Sequence, residues 1–201
     1  TVMQPVLIRY PILEPKLNDR RVCDFFQLAK AKDLPGPKVV AVHLKAPGYP
    51  FVVGPQGEVI NMVNSPDKYQ QAFMGQLSWT NDRLEWLIDI LLSDPDYSPV
   101  IVIQGDHGET AAQTKLGVAI PDDWPKDENS IRARFGIMNA YHLPDGGDAL
   151  LYPSITPVNT FRIIFNYYLG ANFELVEDSS YYDARLVTDD LTDILAQGYD
   201  D

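Results

Sequence analysis

Two short apolar runs separated by one long amphipathic stretch limit the folding choices of this chain more than any other feature. Lys38-Val39-Val40-Ala41-Val42-His43-Leu44 is rich in β-branched residues and lacks polar alternation, the pattern of a strand covered on both faces. Pro99-Val100-Ile101-Val102-Ile103-Gln104-Gly105 repeats that pattern. Between them, Ser65-Pro66-Asp67 combines a capping serine, a proline suited to a first helical turn and an early acid. From Tyr69 the apolar positions Phe73, Leu77, Leu84, Leu87, Ile88 and Leu91 recur near a 3.6 period, which predicts one helix to about Leu92. Strand, helix and strand in that order favour a right-handed crossover to a parallel neighbour. The expected fold class is α/β, with a mainly parallel sheet flanked by helices.

The rest of the chain divides around that unit. Residues 1–37 read as an extended lead-in carrying Pro5, Pro11 and Pro15, then a short helix over Val22 to Lys32 stopped by Pro35-Gly36-Pro37. Residues 44–64 hold Pro47, Gly48, Pro50, Gly54, Pro55 and Gly57, too many breakers for anything but a long loop. Residues 111–132, with Pro121, Trp124 and Pro125, read as irregular, with room for a flexible lid. Phe135 to Leu143 is a third strand candidate, closed by Pro144-Asp145-Gly146-Gly147. Thr156-Pro157 opens a second helix whose stripe, Val158, Phe161, Ile164, Phe165 and Tyr168, ends before Gly170. The α/β portion spans 38–182, and 183–201 read as an acidic, solvated tail.

Composition removes several functions. With 45% hydrophobic and 22% charged residues, a chain of 201 residues has enough apolar material for a core and is not disordered by default. Sixteen basic against 28 acidic residues leave a net charge of −12, which repels phosphate backbones, so no nucleic-acid partner is expected. No stretch approaches the roughly 18–20 apolar residues of a membrane span, and a soluble chain is expected. The single cysteine, Cys23, supports neither an internal disulfide nor a zinc–thiolate cluster. The chain opens on Thr1, from which we expect further sequence upstream.

Chemistry concentrates in Gln104-Gly105-Asp106-His107-Gly108-Glu109, directly after the second apolar run. Ligands of open α/β sheets gather at the carboxyl ends of strands. Asp106 offers a hard anionic oxygen and His107 an imidazole nitrogen, while Gly105 and Gly108 allow a sharp turn that lets adjacent side chains converge on one ion. The same residues also suit an Asx-type turn capping the strand. Glu109 and Thr110 read as an exposed acid and its neighbour, or as supports for the ligand pair. Arg132 and Arg134 suit an anionic substrate or, more simply, ion pairs with the many carboxylates. His142 reads as a packed or edge histidine, and Tyr69, Phe73, Trp79 and Trp86 as helix core or interface.

Residues 99–108, Pro-Val-Ile-Val-Ile-Gln-Gly-Asp-His-Gly, resemble the metal-binding strand end of the alkaline phosphatase and sulfatase superfamily, usually written Ser-Asp-His-Gly. The likeness extends to His43-Leu44-Lys45-Ala46-Pro47-Gly48-Tyr49-Pro50-Phe51, similar to the His-Leu-x-x-Pro-His-x-Pro-Phe segment of membrane-anchored, sulfatase-like proteins. Residues 134–144 and 152–162 resemble the closing segments of that group, so roughly 36–182 are covered. The resemblance implies the C-terminal portion of an alkaline phosphatase-like fold. Its members hydrolyse or transfer sulfate or phosphate esters with divalent metals and a Ser, Thr or formylglycine nucleophile in the N-terminal half. Carried over, Asp106 and His107 become ligands of a divalent metal (Mn, Zn, Ca or Mg), and His43 the candidate catalytic residue beside the same cleft. An anionic ester substrate, a missing N-terminal half with membrane helices and an extracytoplasmic location of the full-length protein are implied as well.

Two departures accompany the likeness. Gly48 stands where the family has a second histidine, and nothing before Val39 reads as a buried strand ending in a nucleophile beside a carboxylate. One expectation is therefore a metal-binding portion of a sulfatase-like or phosphatase-like hydrolase or transferase, inactive as an isolated chain. Its rival is a catalytically silent domain kept for binding or assembly, and a third reading is a glycan-binding module using exposed aromatics.

Overall fold

The computed structural model describes residues 4–6, 17–60, 66–108, 128–184 and 187–190. The chain divides into two compact units, Thr1–Ser98 and Pro99–Asp201.

In the first unit, β1 (Gln4–Val6) pairs in parallel with β2 (Lys38–Val40), joining Gln4 to Lys38 and Val6 to Val40. The lead-in thus contributes a strand. α1 (Leu17–Ala29) begins earlier than its apolar spacing suggested and runs into a 3-10 turn at Lys30–Asp33. β2 ends earlier than expected: the ladder stops at Val40, and Val39 and Val42 are 49% and 44% exposed, so this run is not covered on both faces. α2 (Pro66–Leu91) matches the expected helix, and Ser93 and Asp94 close it through bonds from Ser93 Oγ to the Ile90 carbonyl and from the Asp96 amide to Asp94 Oδ1.

The two helices meet around Phe25, Val53, Trp79 and Leu87, with the Phe25 and Trp79 rings edge-on at 5.6 Å. The long loop is built rather than loose. Its 52–60 portion folds back on itself through Gly54 N–H to the Glu58 carbonyl and Ile60 N–H to the Val52 carbonyl, with Gly57 at φ +86° making the turn. Phe51 packs against Tyr69 and Phe73.

Beneath the loop lies a buried polar pair 55 residues apart in sequence. Arg21 donates from Nη1 to Gln76 Oε1 at 2.5 Å and from Nη2 to the Gly48 carbonyl at 3.2 Å. Gln76 Oε1 also accepts from the Val52 amide, and its Nε2 donates to the carbonyls of Pro47 and Gly48 at 2.8 and 3.0 Å. Gln76 is fully buried, so these bonds fix the loop's backbone on α2 without competition from water.

In the second unit, β3 (Ile101–Gln104) pairs antiparallel with β4 (Asn139–His142), Ile101 opposite His142 and Gln104 opposite Asn139. The Gly105 amide extends the ladder by donating to the Met138 carbonyl. α3 (Glu128–Phe135) is a helix where an irregular segment was expected; Ile131 is its buried apolar anchor. Residues 111–127, the rest of that segment, lie outside the described residues.

α4 (Pro157–Leu169) starts at its proline and ends at Gly170 in the left-handed conformation, as its punctuation predicts. Its inward face differs from the apolar stripe. Asn159, Thr160, Ile163 and Ile164 are buried, whereas Val158, Phe161 and Phe165 are exposed. The reason is polar satisfaction: Asn159 exchanges two bonds with the Val176 backbone, and Asn166, two turns on, does the same with Phe173. Segment 171–178 is thereby strapped along α4. Finally, β5 (Tyr181–Ala184) and β6 (Val187–Asp190) form an antiparallel pair, so strand structure enters the acidic end, whose residues 185–186 and 191–201 lie outside the described residues. Among the described residues no helix is long and apolar enough to cross a membrane.

Candidate functional site

The Gly105-Asp106-His107-Gly108 turn leaves the end of β3 and meets the end of α3. The Gly108 amide donates to the Arg134 carbonyl at 2.6 Å. A Cβ on Gly108 would stand 2.9 and 3.0 Å from the carbonyl oxygens of Gly136 and Arg134, and closer still to that of Ala133. These are backbone atoms, so no side chain can give way. Neither Gly105 nor Gly108 has a positive φ, so the turn between them does not draw on the left-handed region open to glycine. Gly108 is needed for close approach, and Gly105, whose Cβ would lie 3.4 Å from Ile137 Cβ, is much less constrained.

The turn puts the two expected donors side by side. Asp106 Oδ1 accepts from the His107 amide at 3.0 Å, a local side-chain-to-backbone bond of the kind that shapes such turns. His107 Nδ1 lies 2.9 Å from the Gly108 carbonyl. A carbonyl can only accept, so Nδ1 carries the proton and Nε2 of the neutral ring keeps its lone pair. That lone pair is on the nitrogen nearest the carboxylate, with Nε2 3.9 Å from Asp106 Oδ2. His107 and Asp106 are 41% and 69% exposed on their side chains.

This pair fits a metal ion in two respects. Bond lengths of about 2.0–2.2 Å to nitrogen and oxygen together exceed the 3.9 Å gap, so one ion can touch both atoms. The Nδ1–H to carbonyl bond is also the arrangement that orients a metal-binding histidine through Nε2. Among the described residues no group of three or more His, Cys, Asp or Glu side chains converges, so the pair supplies two donors.

The other expected residues are placed as follows. Arg134 donates from Nη1 to the Gly108 carbonyl at 3.3 Å, joining His107 on the same acceptor, and among the described residues no carboxylate pairs with it. His142 Nδ1 donates to the Pro99 carbonyl at 2.8 Å and is half-buried, a structural histidine on β4. Tyr69 and Trp79 are core. His43 is exposed and belongs to the first unit, whereas Asp106 and His107 belong to the second. Glu109 and Thr110 lie outside the described residues.

A second polar cluster escaped the sequence reading. Asp178 Oδ1 accepts from both the amide and the hydroxyl of Thr156, at 2.7 and 2.6 Å, and Oδ2 accepts from the Tyr152 hydroxyl at 2.5 Å. Burial pushes the Asp178 carboxyl up, but the bonds from Thr156, Tyr152 and Asn159 outweigh it and hold the group below the usual range. The same carboxylate, accepting the Tyr152 hydroxyl, raises the pKa of that phenol. Asp178 acts here as a remote cap of α4, a role that only tertiary structure reveals. No protein-family model, curated protein or solved structure matches this chain.

Proposed function

We propose that this chain is the metal-binding C-terminal portion of a sulfatase-like or phosphatase-like hydrolase or transferase acting on sulfate or phosphate esters, with Asp106 and His107 as two ligands of a divalent cation. The observation that carries the reading is the His107 Nδ1–H bond to the Gly108 carbonyl, which leaves Nε2 facing the Asp106 carboxylate. The mainly parallel, alkaline phosphatase-like sheet and the extracytoplasmic, membrane-anchored setting of a longer protein belong to the same proposal, as does His43 as a catalytic group. A bound ion would polarise an ester oxygen and stabilise the anionic transition state. Within this chain, Gly108 and the α3 carbonyls hold the turn, and the Gly108 carbonyl fixes the His107 ring.

The rival, a catalytically silent domain, is favoured by a specific observation at Gly48. Its φ is not positive and its Cβ direction is open, with the nearest heavy atom 4.0 Å away, so glycine is not demanded by packing there. A Cβ is admitted at this position, yet the imidazole is missing. Calorimetric titration of manganese, zinc, calcium and magnesium into the wild type and Asp106→Ala separates the readings. Saturable heats lost on substitution support the ligand pair. Flat traces in both proteins support the silent domain.

A further inference from the structure

From Leu34 to Gly57 the chain has no acidic residue, although its net charge is −12. Lys38, His43 and Lys45 fall within that window, and His43, Lys45, Gly48 and Tyr49 are exposed. Directly beneath the loop lies the Arg21 guanidinium, 4% exposed, bonded to the neutral acceptors Gln76 Oε1 and the Gly48 carbonyl. Among the described residues no carboxylate pairs with it, and its Nε is buried without a partner. An arginine stays charged even when buried. Water cannot quench this charge locally, so its field emerges through the loop above it.

The loop's own dipoles point the same way. The Pro47 and Gly48 carbonyls are both turned inward, onto Gln76 Nε2 and Arg21 Nη2. The peptides that follow, Pro47–Gly48 and Gly48–Tyr49, are trans, since the cis bonds of this loop are Ala46–Pro47 and Tyr49–Pro50. In a planar trans peptide the N–H points opposite to the C=O. Two successive amides, of Gly48 and Tyr49, are therefore turned outward, and neither has a partner among the described residues. Both residues are exposed, and residue 48 carries no side chain to shield them; a Cβ there would meet nothing closer than 4.0 Å.

We infer that the Pro47-Gly48-Tyr49 turn is an anion-binding nest for a small tetrahedral oxyanion, a sulfate or phosphate group, held by the Gly48 and Tyr49 amides. Successive outward amides form such anion-binding concavities. Lys45, exposed and three residues before Gly48, supplies positive charge next to the turn in sequence, and Arg21 and Gln76 act as positioning residues by holding the two carbonyls inward. This site stands on the first unit alone and needs no metal, so it holds or fails separately from the Asp106–His107 pair. It rests on the proposed function only in that the bound group would be the acidic end of an ester.

The test is titration of inorganic sulfate and phosphate into the full chain in the presence of a chelator, read by amide proton and nitrogen shifts, with chloride at matched ionic strength as control. Saturable downfield shifts of the Gly48 and Tyr49 amides, with dissociation constants on the order of millimolar, are expected. Lys45→Gln, which alters no packing, should weaken binding about fivefold, and Arg21→Gln, measured on folded protein, about tenfold. Should Arg21→Gln fail to fold, Lys45→Gln decides. Shifts that match chloride, shifts that saturate elsewhere, or affinity unchanged in Lys45→Gln would overturn the site.

Discussion

Substituting Gly108 with alanine isolates the contact that shapes the Asp106–His107 turn. The added methyl has backbone oxygens at 2.9 and 3.0 Å and a third, that of Ala133, nearer still, against a comfortable carbon–oxygen separation of about 3.3–3.6 Å. Relief requires β3 and the end of α3 to move apart, which also lengthens the 2.6 Å bond from the Gly108 amide to the Arg134 carbonyl. Overpacking of this kind costs about 1–3 kcal/mol, and a weakened hydrogen bond adds about 1. Gly105→Ala is the internal control, since its methyl meets ordinary contacts at 3.4 and 3.6 Å. Native-state hydrogen exchange of the Ile101–Gln104 and Asn139–His142 amides resolves the second unit without assuming two-state unfolding of the whole chain. The expected result is exchange accelerated roughly thirtyfold or more in Gly108→Ala, corresponding to about 2 kcal/mol, and nearly unchanged in Gly105→Ala. Equal protection in the two variants would refute the close-approach argument.

Three further outcomes follow from the packing. Gln76→Leu leaves the buried Arg21 Nη1 and the Val52 amide without their shared acceptor, and a loss of about 3–5 kcal/mol is expected in urea unfolding followed by tryptophan fluorescence of the first unit. Asp178 has a folded pKa below its unfolded value of about 3.9, so its stabilisation is present above that pH and is lost as pH falls through the folded value; Asp178→Asn should lower the melting temperature at pH 7 and flatten its fall below about pH 4. Gly48→His should fold with stability within about 0.5 kcal/mol of wild type, because open space and an ordinary φ await the side chain, and a large loss by thermal unfolding would contradict that geometry.

Local punctuation made the helices legible. Pro66, Pro157 and Gly170 act through their own dihedrals, so α2 and α4 start or stop where those residues stand. α3 was not legible, because a short polar helix with Ile131 as its buried apolar anchor leaves no periodic stripe. The inward face of α4 was misleading for a different reason: Asn159 and Thr160 enter the interior because Val176, Tyr152 and Thr156 satisfy their polar atoms, and such partners cannot be read from spacing. At the candidate site, the sequence placed Asp106 and His107 together at a strand end. It did not reveal why residue 108 is glycine, since the α3 carbonyls that exclude a side chain are more than twenty residues away. Arg21 and Gln76, 55 residues apart, were invisible for the same reason.

The ring nitrogens of His107 report on the central claim without reference to any activity. With three histidines in the chain, His43, His107 and His142, long-range nitrogen–proton correlation spectra are simple to assign. The account predicts that metal-free His107 is the Nδ1–H tautomer, that zinc shifts its Nε2 resonance while leaving His142 unmoved, and that Asp106→Ala weakens this response at least tenfold. A proton found on Nε2 in the metal-free protein, or an Nε2 signal indifferent to zinc, would contradict it.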